Sequence, residues 1–488
     1  MSKRPHVLLI TTDHWPGSLL GAAGHPVIQT PTLDQLARNG TRFPRAYSEC
    51  PVCIPARRTL LTGTPPRTHG DRTFQTHLRM PDIPTVAHAF RDAGYQAYAA
   101  GKLHVYPSRD RVGFNDVMLA EEGRPQFGGL DDYEIFLGEQ GFAGRQFDHG
   151  MSNNEYWNRP WHLPEPCHVT NWITQQAARL IKRRNPTRPG FWYVSYTHPH
   201  PPLAPLACYL DMYRDLDPGA PEWGNWATED PEPPFALQAV RAKWGAMNEH
   251  QIQQARRAFY ALCTHIDHQI RIVIGTLREE GLLDDTVILF TADHGDMLGT
   301  HGLWAKRLFL EDSACVPMIL TGTRDDSRFQ PGRVDRRLVG LQDVAPTLLD
   351  LAGVPIPDSM QGGSMLSEQP RSQLYGEYGE NAEATRMMHD GRHKLIYYPT
   401  GNRMQLFDLE NDPREMNDLS ESPDHAEIKS RLTGMLVEEL YGWDEPCVQD
   451  GELIGLPSQS HEPQANRDLL LQRGRHWPPP PIPPVVGN

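Results

Sequence analysis

Several short stretches of this chain carry residue types that could do chemistry. One runs Cys53-Ile54-Pro55-Ala56-Arg57-Arg58-Thr59-Leu60-Leu61-Thr62-Gly63. It reads as a helix that starts near Cys53 and stops at Gly63, which seats a thiol where the helix dipole and free N–H groups favour negative charge. With seven Cys, 45 Pro and 40 Arg in 488 residues, an accidental C-x-P-x-R arises about 5% of the time, and Leu60, Thr62 and Gly63 lower that by roughly three orders of magnitude. A lone Cys is usually a buried structural thiol. Cys50-Pro51-Val52-Cys53 also has the spacing of a redox pair, but no thioredoxin-like context surrounds it. Acids follow two apolar runs: Asp13 after His6 to Thr12, and Asp293-His294-Gly295-Asp296 after Val287 to Thr291. A lone Asp there often only caps a turn, whereas adjacent ligands at the end of a buried strand can converge on one ion. Lys306, one of only seven Lys, closes Gly299-Thr300-His301-Gly302-Leu303-Trp304-Ala305-Lys306 just past the second acid. Gly101-Lys102-Leu103-His104 and Pro199-His200-Pro201-Pro202 each follow a further apolar run.

The elements that must position these residues alternate between two periods. His6 to Thr12, Tyr95 to Ala100, Phe191 to Tyr196, Val287 to Thr291 and Val316 to Leu320 are short runs that suit buried strands. Between them the spacing predicts helices from Pro31 to Gly40, Cys53 to Gly63, Thr85 to Ala93, Asn171 to Arg184, Glu249 to Glu280 and Leu341 to Leu351. In the longest, Ala255, Phe259, Leu262, Ile266, Ile270, Val273 and Leu277 keep one face apolar. Alternation of this kind implies an α/β fold with a mostly parallel central sheet flanked by helices, whose ligand sites lie at the carboxyl ends of the strands. After residue 371 the texture changes. A hairpin around Asp390-Gly391 and a helix near Asp424 to Tyr441 predict a smaller α+β subdomain on an antiparallel sheet over 372–455. The Pro-rich segment 456–488 reads as an extended arm without a core of its own.

Composition narrows the function. Apolar residues make up 39% of the chain and charged residues 22%, enough for a packed, enzyme-sized protein. A net charge of −14 argues against nucleic acid or an anionic membrane as partner, so an anionic substrate needs a local positive site. Seven scattered Cys do not form a disulfide framework. The apolar run near the N-terminus is too short for a signal peptide, and no stretch approaches the roughly 18 apolar residues of a membrane span. A reducing, cytoplasmic setting is the expectation, with the Pro-rich arm clasping a neighbour in a homo-oligomer.

The chain from about residue 5 to 420 resembles the formylglycine-dependent sulfatase family of the alkaline phosphatase superfamily. The likeness rests on Cys53-x-Pro-x-Arg57-x-x-Leu-x-Thr-Gly, Asp293-His294-Gly295, Gly299-x-His-Gly-Leu-Trp-x-Lys306, Gly101-Lys102-x-His104 and Pro199-His200-x-Pro202. Gln405 to Pro413 resembles that family's structural turn. The resemblance implies that a separate maturation enzyme oxidises Cys53 to formylglycine (3-oxoalanine), and that Arg57 braces the resulting diol. Asp13, Asp293, His294 and the modified Cys53 would hold one divalent metal. Mostly oxygen donors point to Ca²⁺, while one or two His would admit Mn²⁺. The family pairs its first Asp with another acid or Gln, and here that partner is His14. Lys102 and Lys306 would bind the transferred anion. His104 would take the proton from the second diol hydroxyl, and His200, preferred over His198, would serve the leaving group. The implied activity is hydrolysis of sulfate esters with release of inorganic sulfate. Phosphonate monoester or phosphodiester hydrolysis by the same nucleophile is the alternative. A non-catalytic metal-binding scaffold with an unmodified Cys53 is a third reading.

Overall fold

Val7 to Ile10 offer no polar side chain to water, which suits a strand covered on both faces. In the computed structural model, which describes residues 4–123, 130–245 and 247–462, this run is the centre of the main sheet. In chain order the strands are β1 (His6–Thr12), β2 (Thr41–Arg42), β3 (Ala46–Tyr47), β4 (Gln96–Gly101), β5 (Asp116–Leu119), β6 (Gly190–Ser195), β7 (Thr286–Ala292), β8 (Met318–Thr321), β9 (Arg333–Val334) and β10 (Val339–Gly340). Eight of them form one sheet in the order β5-β4-β6-β1-β7-β8-β2-β9, and β3 pairs with β10. The five strands from β5 to β7 are parallel. β8 runs against both β7 and β2, so the sheet is mostly, not wholly, parallel.

Register decides where the chemistry sits. Thr11 lies beside Ser195 and Thr291, Thr12 beside Ala292, and Gly101 beside Ser195. The carboxyl ends of β1, β4, β6 and β7 are therefore level, and the residues that follow them emerge along one edge. Helices lie close to where the spacing predicts them: Pro31–Asn39, Cys53–Thr62, Val86–Asp92, Val169–Lys182, Glu249–Glu279 and Val344–Leu351. The long helix opens with a reciprocal cap between Asn248 and Gln251. Cys53–Thr62 is buried along its whole length and ends at Gly63, whose φ of 65° only glycine adopts freely.

A second sheet follows, antiparallel throughout, of β11 (Leu374–Tyr378), β12 (Thr385–His389), β13 (His393–Tyr398) and β14 (Arg403–Asp408). The helix Ala426–Glu439 covers one face through Leu432 and Leu436. The opposite face, with Met387, Ile396 and Phe407, shares a core with Leu308, Phe309 and Leu310, just past Lys306. Buried ion pairs also cross this boundary: Asp444 takes both Arg72 and Arg386, and Lys394 lies between Glu311 and Glu415. Of the Pro-rich arm, Leu456 pairs with Thr400 and the His461 N–H donates to Gln238. Residues 463–488 lie outside the described residues. No helix among the described residues is long and apolar enough to cross a membrane.

Gly101 is the tightest point of the edge. Its φ is 107°, and a methyl group there would lie 1.8 Å from the Ser195 carbonyl oxygen. Gly101→Ala is expected to cost about 3 kcal/mol or more, combining left-handed strain with overpacking. Gly94→Ala, at a φ of 92° but with nothing within 4 Å, should cost clearly less. Urea unfolding of the two variants checks this, and equal losses would show that Gly101 is not a packing constraint.

Candidate active site

Cys53 is the first residue of its helix, preceded by Val52 in extended backbone. The helix thus aims its free N–H end at the carboxyl edge of the sheet. Asp13 and His14 arrive from β1, Lys102 from β4, His200 from the loop after β6, and Asp293 and His294 from β7. The Cys53 Sγ lies 3.6 Å from Asp13 Oδ1, 3.3 Å from His294 Nε2 and 2.8 Å from Lys306 Nζ. Lys306 comes from the far side, on a loop pinned at both ends. Within it the Ala305 N–H donates to Asp296, and the Arg307 N–H donates to the Pro51 carbonyl beside Cys53.

Arg57, one turn along the helix, ties the edge together. Its Nε donates to Asp293 Oδ2 at 2.9 Å, and its Nη1 reaches Ser195 Oγ at 2.7 Å and the Lys102 carbonyl at 3.0 Å. Its Nη2 is 3.6 Å from Asp13 Oδ2. Lys102 is fully buried and bonds Asp13 and Glu122, the latter at 2.6 Å. His200 lies 3.9 Å from Glu122 and 4.4 Å, ring to ring, from His14. His198 turns away to the His200 carbonyl and the ring of His168, which separates the two candidates. His104 sits two residues after Lys102, with its N–H on Glu121 and its ring edge-on to Phe74.

Burial and Asp13 both oppose ionisation of the Cys53 thiol, but Lys306, Lys102 and His200 outweigh them and bring it down to about 7. Burial works against charge on Lys102, and Asp13 and Glu122 overcome it. Burial likewise pushes His294 down to about 4, leaving its imidazole neutral, and drives His14 well below its ordinary range. Burial and the neighbouring Asp13 lift Asp293 to about 6.

The donor set fits a divalent cation. Ligand atoms of Asp13, His14, Cys53 and His294 all lie within 4.8 Å of one another and all four residues are buried. Separations of 3.3 to 3.7 Å within this group are those of donors about 2 Å from one shared ion. Asp293 meets the group from the side: its Oδ1 is 3.6 Å from His294 Nε2, while Oδ2 is committed to Arg57. Around this centre three fixed cations converge on one nucleophilic position, an arrangement that can hold a tetrahedral oxyanion.

The structure thus gathers Asp13, Cys53, Arg57, Lys102, His200, Asp293, His294 and Lys306 at one point, with His104 on the adjoining loop. It adds groups that the sequence reading left unassigned. Glu121 and Glu122 follow β5, whose mixed Asp-Val-Met-Leu pattern hides it as a strand, and so the rule that acids after strands mark the edge had nothing to act on. Asp296 stands directly after Asp293-His294-Gly295, but only the fold shows that its Oδ2 meets His14 Nδ1 at 2.7 Å.

The family model described as Sulfatase matches residues 5–354, and that of the N-sulphoglucosamine sulphohydrolase C-terminal region matches 299–441. The chain is 34% identical to the arylsulfatase of Clostridium perfringens, over 92% of this chain and 97% of the relative. It is 30% identical to the choline-sulfatase of Rhizobium meliloti, over 97% and 93%. The phosphonate monoester hydrolase of Agrobacterium radiobacter shares the fold at a TM-score of 0.74 and 24% identity, covering 89% of this chain and 95% of that one. The match spans every strand that feeds the Cys53 edge, and with this extent of shared sequence the chain belongs to the sulfatase family.

Proposed function

We propose that this protein hydrolyses sulfate esters, aryl sulfates among them, with a formylglycine made from Cys53 and one divalent metal ion. The observation that carries the reading is the seat of Cys53: the first residue of a buried helix, within a group of candidate metal ligands and 2.8 Å from Lys306. The arylsulfatase and choline-sulfatase relatives support the ester class. The reading requires a separate enzyme that oxidises Cys53 in the new chain.

Hydrated formylglycine supplies two hydroxyls, one to take the sulfuryl group and one whose deprotonation expels sulfate and restores the aldehyde. Asp13, Asp293, His294 and residue 53 would hold the ion, which supplies Lewis-acid charge beside the nucleophile. The chain's own groups do the rest. Arg57 fixes Asp293 and keeps the strand ends level. Lys102 and Lys306 bind the sulfate oxygens, and their charge offsets the anion's repulsion by Asp13 and Glu122. His200 faces the leaving oxygen and gives it a proton, so the alcohol departs neutral. His104 takes the proton that releases sulfate. An unmodified thiol has no second hydroxyl and could not complete that last step.

Three outcomes test this. The tryptic peptide holding residue 53 should be lighter than its Cys form by about 18 Da when read dehydrated, and Cys53→Ala should abolish turnover. An unmodified peptide from fully active protein would refute the nucleophile. His200→Ala should lower kcat by about 10²- to 10⁴-fold on esters of poor leaving groups and much less on p-nitrophenyl sulfate. A loss independent of leaving group would remove His200 from that role. Finally, kcat/KM for p-nitrophenyl sulfate should exceed that for p-nitrophenyl phenylphosphonate. The reverse order would assign the site to phosphonate monoesters, the activity named for the Agrobacterium radiobacter neighbour.

A further inference from the structure

His14 stands where the family places an oxygen donor, and the structure gives it a ligand's surroundings. It is 1% exposed, and its backbone takes a left-handed φ of 66° that a non-glycine residue adopts at a cost. Its Nδ1 lies 2.7 Å from Asp296 Oδ2. Asp296 is itself saturated, since it accepts from the Tyr156 hydroxyl and from the N–H groups of Leu298 and Ala305. With those three donors already aimed at Asp296, its oxygen opposite Nδ1 acts as an acceptor, which places the proton on Nδ1 and leaves the Nε2 lone pair pointing inward. Lys306 Nζ lies 2.6 Å from Nε2, and an ammonium, which can only donate, fits that contact when Nε2 is the unprotonated nitrogen. Nε2 is 3.7 Å from Asp13 Oδ1, the same atom that lies 3.5 Å from His294 Nε2. His294 is prepared in the same way, with its Nδ1 2.9 Å from the Gly295 carbonyl. Both imidazoles thus spend one nitrogen on an oxygen behind them and present the other to one point, as ligating histidines do.

We propose that His14 is a metal ligand, that Asp296 is the residue that positions it, and that the two-imidazole set makes this site select a first-row transition ion such as Mn²⁺ over Ca²⁺. The inference rests on the metal site proposed above and deepens it. Calcium takes six to eight oxygens in a flexible shell, and two neutral imidazoles remove oxygens and add nitrogen donors that it binds poorly. Lys306 and an ion cannot share one lone pair. With the ion bound, the ammonium keeps its contact with residue 53, already 2.8 Å from Sγ, and is freed to face the substrate anion. The competing role for His14 is to hold Lys306 and touch no metal.

The test strips the full-length protein with chelator and titrates it with Mn²⁺ or Ca²⁺ by calorimetry. Wild type should bind Mn²⁺ about tenfold or more tighter than Ca²⁺. His14→Gln, which restores an oxygen donor, should weaken Mn²⁺ about 10- to 100-fold and narrow or reverse the preference, and Asp296→Asn should weaken Mn²⁺ by about tenfold with Ca²⁺ little changed. Pulsed EPR of the Mn²⁺-loaded wild type needs no variant and should show two directly bound nitrogens. One nitrogen, a preference for Ca²⁺, or an unchanged Mn²⁺-to-Ca²⁺ ratio in a folded His14→Gln protein would each overturn the assignment. Failure to bind either ion would overturn it together with the metal site itself, whereas Ca²⁺ binding alone would spare that site and reject only this proposal.

Discussion

The Arg57 guanidinium is buried on all sides and meets groups from four neighbouring strands or the residues just after them: it bonds the Lys102 carbonyl, Ser195 and Asp293 and pairs by charge with Asp13 at 3.6 Å. Because it sits one turn beyond Cys53, the same side chain fixes the helix to the sheet and sets the height of residue 53 above the strand ends. A planar fork with five donors suits this work, and the single nitrogen of a lysine could not reach partners spread over Nε, Nη1 and Nη2. Removing one member of such a buried network leaves uncompensated charge at a cost of about 3–5 kcal/mol. The site is therefore a structural element of the fold as much as a set of reactive groups.

Strain gathers at the same edge. His14, His104 and Ala305 all have left-handed φ without being glycine; His14 and Ala305 stand beside Asp13 and Lys306, which face Cys53, and His104 lies two residues past Lys102. Helices and strands cannot bring side chains from so many directions to one point, so the chain turns sharply as soon as each strand ends. The surrounding structure must hold those turns in place. For the Lys306 loop the brace is the antiparallel sheet, whose Met387, Ile396 and Phe407 pack on Leu308 to Leu310. This gives the smaller sheet a mechanical role at the site although none of its residues reaches Cys53.

Much of this was legible in the sequence, for definite reasons. β1, β6 and β7 are continuous apolar runs that buried parallel strands demand, and the long helix shows its face through Ala255 to Leu277. Asp13, Lys102, Asp293 and Cys53 stand out because each sits directly after such a strand or at a helix start, whereas Lys306 stands out only through the Gly-x-His-Gly-Leu-Trp-x-Lys run around it. What escaped were relations that exist only across the fold. Glu122 meets Lys102 twenty residues away, Asp296 meets His14 from the neighbouring strand end, and β8 is reversed although its own sequence carries no mark of direction. Asp293 shows the limit most clearly: its type and place suit a ligand, and yet one of its oxygens is already given to Arg57.

The remaining question is how a chain of net charge −14 can hold a substrate that is itself an anion. Its surface field is repulsive, and salt confines that field to about 8–10 Å. Inside the site the fixed cations Arg57, Lys102 and Lys306 are matched by Asp13, Glu122 and Asp293, so the fixed groups alone leave little net positive charge for an anion. A divalent cation held as proposed would add positive charge there, and burial would make that charge count, because water that would screen it is excluded. Such an ion would be more than a source of Lewis acidity. It would tip a nearly neutral pocket toward binding sulfate, and the choice between oxygen and nitrogen ligands would set how much carboxylate charge must be overcome. A neutral imidazole at position 14 in place of a second acid leaves the site one negative charge lighter, which favours the anion at the moment of binding.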